Sequence, residues 1–185
     1  MKIRLCYSLL VLFLFAGICF AQRPAPALDQ ALNEVSADLL LPIKDQSHTG
    51  IGGQFTAAHY FGDNFGFQLQ GDYLATDEYN SRDLGVRIGP VVRFRSQHSV
   101  QPYVHALVGY ARVNASYLKQ TGSPQSSGSV LGGGGLDFPL SGKWFNGGWY
   151  GRVGADLQDD WGARTRIGRV FVGVSYRFNA RQSLK

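Results

Sequence analysis

Eight stretches of about ten residues, each alternating apolar and polar side chains, constrain this 185-residue chain more than any other feature. They run over residues 33–41, 50–61, 65–75, 83–95, 100–113, 128–140, 146–158 and 166–178. A period of two puts each set on one side of a β-sheet. Residues 65–75 show it plainly: Phe65, Phe67, Leu69, Gly71 and Tyr73 share one face, and Gly66, Gln68, Gln70 and Asp72 share the other. In the last stretch Val170, Val172, Val174, Tyr176 and Phe178 oppose Arg169, Gly173, Ser175 and Arg177. Stretches of this length and period match strands that cross a bilayer at a tilt. The first is the least regular, because the run Leu39, Leu40, Leu41 blurs its register.

The connections add a second constraint. Residues 62–64, 96–99 and 141–145 read as short turns, and 42–49, 76–82, 114–127 and 159–165 as longer polar loops. Long and short alternate, as in a meander barrel whose N-terminus lies in the periplasm, with short turns inside and long loops outside. The predicted fold is therefore all-β: an eight-stranded antiparallel up-and-down transmembrane β-barrel over residues 33–178. Pro90 interrupts this pattern, since proline removes one ladder hydrogen bond, and Gly89-Pro90 reads as a bulge.

Ahead of the barrel, Lys2 and Arg4 precede an apolar run from Leu5 to Phe20, and Ala21 offers a small residue for cleavage. This is the pattern of a secretory signal peptide over residues 1–21. Residues 22–32, with Pro24 and Pro26, read as an extended leader, and 179–185 as a short tail. Cleavage removes Cys6 and Cys19, the two cysteines of the chain, so no disulfide framework or thiol chemistry is expected of the mature protein. The formal charge falls from +5 to +3 with Lys2 and Arg4 gone, and no Lys/Arg run remains, which argues against nucleic acid as a partner.

Alternation alone does not separate a membrane barrel from a soluble carrier of the lipocalin kind, whose interior is apolar. Residue identity does. The polar faces hold Glu34, Asp38, Asp72, Arg87, Arg93, Asp137, Arg152, Asp156, Arg169 and Arg177. Both signs occur, and the cations are arginines, whose planar fork suits carboxylates in a confined interior. Asp72, Arg87, Asp137, Arg152, Asp156 and Arg169 are the predicted interior network. Aromatics collect near segment ends. Phe61, Phe65, Phe94, Phe138, Trp144, Phe145, Trp149, Tyr176 and Phe178 lie by the short turns, and Tyr73, Tyr79, Tyr110, Tyr117 and Trp161 by the long loops. Two such belts mark the two interfaces of a bilayer.

The final stretch, from Phe171 to Phe178, resembles the terminal strand signal of outer-membrane barrels at Gly173, Tyr176 and Phe178, although Phe171 stands where that signal is usually polar. The whole segment 33–178 is similar to the small eight-stranded outer-membrane barrels of the OmpA-like and OmpX-like family. The resemblance implies a cell outer-membrane location, contact with outer-membrane lipid and lipopolysaccharide, and insertion by the barrel assembly machinery. Eight strands enclose room only for their own side chains, so the expected role is structural or one of surface interaction through the outer loops.

Little in the chain points to catalysis. Gly132–Gly135 lacks the Lys-Ser/Thr and the helix of a phosphate loop, so close strand packing is the expected role. His105 is expected to face inward near Asp72, and His59 outward, but no nucleophile–base–carboxylate set is recognisable. The four histidines are scattered, and neither a metal nor another cofactor is expected. The loop 114–127, with Tyr117 and Lys119, is the candidate for an extracellular ligand. A lipid A-modifying enzyme and a soluble periplasmic carrier stand as alternatives.

Overall fold

The computed structural model describes residues 32–43, 50–61, 64–76, 81–94, 100–114, 125–140, 148–161 and 165–179. Eight strands cover almost all of these: β1 (Leu32–Ile43), β2 (Gly50–Phe61), β3 (Phe65–Thr76), β4 (Ser81–Arg93), β5 (Gln101–Asn114), β6 (Gln125–Pro139), β7 (Trp149–Asp160) and β8 (Thr165–Asn179). Each pairs antiparallel with its neighbour in sequence, and β1 pairs with β8, so the sheet closes into a barrel. Closure leaves no free strand edge.

Along every strand the side chains alternate between lumen and outer wall. The outer wall carries Phe55 (72% exposed), Val108 (60%), Leu157 and Ile88, while the lumen carries buried Glu34, Asp72, Arg87 and Arg152. This is the inverse of a soluble barrel, and it disposes of the soluble-carrier alternative. Apolar side chains also enter the lumen. Leu40, Leu74, Val91 and Phe171 form a cluster with Tyr60 and Tyr103 between the polar groups. Phe171, the departure from the terminal strand pattern, belongs to that cluster and is 2% exposed. A Cβ at Gly154 on β7 would collide with its ring.

Strand limits differ from the sequence expectation in a systematic way. At the end remote from Leu32 and Asn179, most strands run one to three residues farther than alternation predicts: β4 starts at Ser81, β6 at Gln125, and β7 continues to Asp160. Backbone pairing persists there after the need for an apolar outer face has stopped. At the end bearing Leu32 and Asn179, β4 stops at Arg93, earlier than expected, and β7 starts at Trp149, later than expected. Gly148, with φ of 74°, sets that start, because a left-handed residue leaves the extended conformation. Leu32 and Asn179, expected in the leader and tail, belong to β1 and β8.

The expected alternation of long and short connections does not hold. Between strand limits, residues 94–100 and 140–148 span more chain than 77–80 or 161–164. Strand lengthening at one end shortened 77–80 and 161–164, while 115–124 remains the longest connection. Pro90 is likewise not a bulge. Ile88 pairs with Val108 and Val91 with His105, so the register is unchanged across the gap, and Phe67 still pairs with Pro90 on the other side. The missing N–H interrupts the β5 ladder without inserting a residue.

Candidate functional site

The lumen concentrates the chemistry of this chain, and the strands bring it together in two groups. The first lies near the end bearing Leu32 and Asn179. Glu34 on β1 accepts from Arg93 of β4 and Arg152 of β7, and from Arg177 Nε of β8 at 2.7 Å. Asp137 on β6 takes Arg152 Nε at 2.9 Å and Nη2 at 3.1 Å, and also accepts from Arg177. Each arginine stacks on a tyrosine: Arg93 over Tyr60 at 4.2 Å, Arg152 over Tyr103 at 4.6 Å and Arg177 over Tyr150 at 3.6 Å. A delocalised guanidinium suits both contacts at once. Arg177 Nη1 also donates to Gln101 Oε1 of β5 at 2.7 Å.

The second group lies toward the opposite end. Arg87 Nη1 of β4 donates to Asp72 Oδ2 of β3 at 2.5 Å, and its Nε donates to Ser129 Oγ of β6 at 2.8 Å. Arg169 of β8 reaches Asp72 at 3.2 Å and Asp156 at 3.2 Å, and donates to Gln158 Oε1 at 3.0 Å. Gln158 Nε2 bonds both Asp83 and Asp160, at 2.7 and 2.8 Å. His105 Nε2 lies 3.0 Å from Asp156 Oδ1, so His105 does face the lumen, but its partner is Asp156 and not Asp72. Between the groups, Asp38 accepts from Ser36 Oγ at 2.9 Å and from Gln54 Nε2 at 3.0 Å.

Several contacts run across the lumen between strands that are not neighbours. Glu34–Arg93 joins β1 to β4, Asp72–Arg169 joins β3 to β8, and Asp83–Gln158 joins β4 to β7. Eight strands enclose only enough space for side chains, and here chords cross that space at both levels. The six network residues read from the sequence all face inward, but they divide. Asp137 and Arg152 join the first group, and Asp72, Arg87, Asp156 and Arg169 join the second. The hub Glu34, with Arg93 and Arg177, was visible as polar-face charge but not as a centre. Its strand carries the blurred leucine run, which hides its register. Tyr60 and Tyr103 have the inward parity that could have marked them.

Glycine makes room for this network. In the run of four, Gly133 faces inward opposite His105, and a Cβ there would collide with Asp156 Oδ1 and the Ala155 carbonyl. Gly173 does the same for Asp38 across the β1–β8 seam. Tyr176 and Phe178 point outward beside Gly173's strand neighbours, with ring centroids 6.1 Å apart, and Trp149 lies 5.0 Å from Tyr176. Phe61, Phe65, Phe94 and Phe138 extend this outer belt, and Tyr73, Tyr110 and Trp161 are exposed toward the other end. Trp144, Phe145, Tyr79 and Tyr117 fall outside the described residues, as do His48, His98 and residues 115–124 of the candidate ligand loop. Among the described residues, no group of three or more His, Cys, Asp or Glu is arranged to hold a metal.

A charged lumen inside an apolar wall finds its counterpart in a family model described as an outer membrane protein beta-barrel domain, which matches residues 11–178. The chain belongs to that family. The outer-membrane β-barrel domain is also what its solved neighbours share in fold. Neisserial surface protein A (NspA) aligns with a TM-score of 0.61 at 14% identity, covering 80% of this chain and 97% of that one. The outer membrane protein OprG of Pseudomonas aeruginosa aligns at 0.58 and 14%, covering 82% and 97%. The N-terminal β-barrel domain of Pseudomonas aeruginosa OprF aligns at 0.52 and 16%, covering 80% and 100%. No curated protein matches the chain by sequence. This outer-membrane barrel therefore resides in the cell outer membrane, with its apolar wall against lipid.

Proposed function

We infer that the protein is a closed, non-enzymatic barrel whose work is done at its surface, in a structural or interaction role. The observation that carries this reading is the convergence of Arg93, Arg152 and Arg177 on Glu34 in the lumen. Three strands send a cation to one carboxylate of a fourth, and the resulting knot occupies the space a channel would need. Among the described residues, His105 and Asp156 form a histidine–carboxylate dyad, but Asp156 is also held by Arg169 and lies against Gly133. Purified protein in planar bilayers is expected to show no large, steady conductance. Stable channels of porin size would overturn the reading.

The orientation follows the family resemblance: the end with Leu32 and Asn179 faces the periplasm, and residues 1–21 are removed on export. Gly173, Tyr176 and Phe178 serve as the recognition strand for the barrel assembly machinery. At the outer end, Arg82 and Arg112 project from β4 and β5 on the lipid side, above Leu84 and Tyr110. Both are exposed, and neither forms an ion pair with a described residue. Their place and charge suit the phosphates of lipopolysaccharide. The double variant Arg82→Ala/Arg112→Ala is expected to fold normally, bind lipopolysaccharide more weakly, and lose most of the salt dependence of that binding. Equal affinity and equal salt dependence in the variant would rule these arginines out.

A further inference from the structure

The outer wall is recessed at one place. Register lines up Val35, Ala57, Leu69 and Ile88 as one outward row across β1 to β4. The row below it, toward Leu32 and Asn179, reads Phe178, Asn33, His59 and Phe67. Ala57 is the small member of its row, and Phe55 stands proud on the far side at 72% exposure. The two rows, without Phe55, bound a groove of about 320 Å³, near the lower end of the range for small-molecule pockets. Its walls are hydrocarbon and its lower end is polar. There His59 Nδ1 lies 2.8 Å from Asn33 Oδ1, and His59 packs edge-on against Phe61 at 4.8 Å.

A histidine–asparagine couple on the lipid face of a barrel is costly in the hydrocarbon core. It sits instead in the row of Phe67 and Phe178, within the aromatic belt that marks an interface. Nδ1 is engaged with Asn33, and His59 Nε2 makes no hydrogen bond to a described residue. The groove is continuous with the lipid-facing wall, so its occupant comes from the bilayer. We propose that this groove is a binding site for one phospholipid of the periplasmic leaflet. An acyl chain lies over Ala57 between Val35 and Leu69, the head-group phosphate accepts from Asn33 Nδ2, and the head-group ammonium or hydroxyl donates to His59 Nε2, left as an acceptor by the Nδ1–Asn33 Oδ1 bond. The assignment to that leaflet rests on the orientation given under the proposed function; the groove itself does not.

The full-length protein, purified and reconstituted in nanodiscs of phosphatidylethanolamine, phosphatidylglycerol and lipopolysaccharide, tests this by native mass spectrometry of the barrel with its retained lipids. The wild type is expected to retain one phospholipid. Ala57→Phe, which fills the groove, should weaken retention by about tenfold or more. His59→Leu should weaken it while leaving the acyl groove intact. Ala155→Phe, on the wall at β7, should retain the lipid as the wild type does, and a heat-shifted gel band confirms that each variant is folded. Unchanged phospholipid retention in Ala57→Phe would overturn the site alone. Retention of lipopolysaccharide in place of phospholipid, abolished by Ala57→Phe, would overturn the phospholipid assignment and the orientation with it.

Discussion

Replacing Glu34 with Gln is expected to lower barrel stability by about 3–5 kcal/mol, the cost of breaking a buried ion pair from one side. The change keeps side-chain volume and removes one charge. Arg152 and Arg177 would retain Asp137, but Arg93 would be left with Tyr60 and a 3.8 Å approach to Asp137. Three guanidinium groups would then share a single carboxylate in a site excluded from water. Urea unfolding in detergent micelles, followed by tryptophan fluorescence, gives the midpoint. The coupled variant Glu34→Gln/Arg93→Met should be less destabilised than the two single changes added together, because it removes one of the stranded cations. A wild-type midpoint in Glu34→Gln would show that the knot contributes nothing to stability.

The second large effect is expected on the other side of the wall. Val108 lies mid-strand on β5 between Ile88 and Val130, and it is 60% exposed in the isolated chain. In the membrane that exposure is to hydrocarbon. Val108→Arg should therefore cost about 2–4 kcal/mol, as cations near the bilayer midplane do on barrel surfaces. Folding into phospholipid vesicles, scored by the heat-shifted band and a denaturant titration, measures it. If Val108→Arg folds with the wild-type midpoint, β5 does not cross the bilayer with this face outward. The pair of experiments is informative because the same residue type, arginine, is essential a few ångströms inward and harmful outward.

The sequence made the strand number, the alternation and the sign of each face legible, because period two is a local property. All ten charges on the polar faces point into the lumen. Partner choice was not legible. Asp137 and Arg152 face each other across β6 and β7, and local register could have paired them. Glu34 meets Arg177 across the seam that closes the barrel, and Arg93 across the lumen, which only closure defines. His105 was assigned to Asp72 for the same reason: both face inward, and nothing local ranks Asp72 against Asp156. Loop lengths misled, since hydrogen-bonded pairing outlasts the amphipathic pattern at one rim. Pro90 misled in the opposite direction. A lost ladder bond suggested an inserted residue, yet the strand absorbed it with the register intact.

The chords across the lumen also bear on the order of assembly. Glu34 is on the first strand, and its arginine partners are on the fourth, seventh and eighth. A half-built sheet holding β1 to β3 would present Glu34, Asp38 and Asp72 to its surroundings with none of the lumen arginines yet in place. Such a sheet cannot enter hydrocarbon cheaply, because its acids have no counter-charge. Only when β8 docks on β1 do the anions of the first strands meet the cations of the last. The charged lumen thus sets an electrostatic cost on inserting partial hairpins, a cost that closure of the barrel removes.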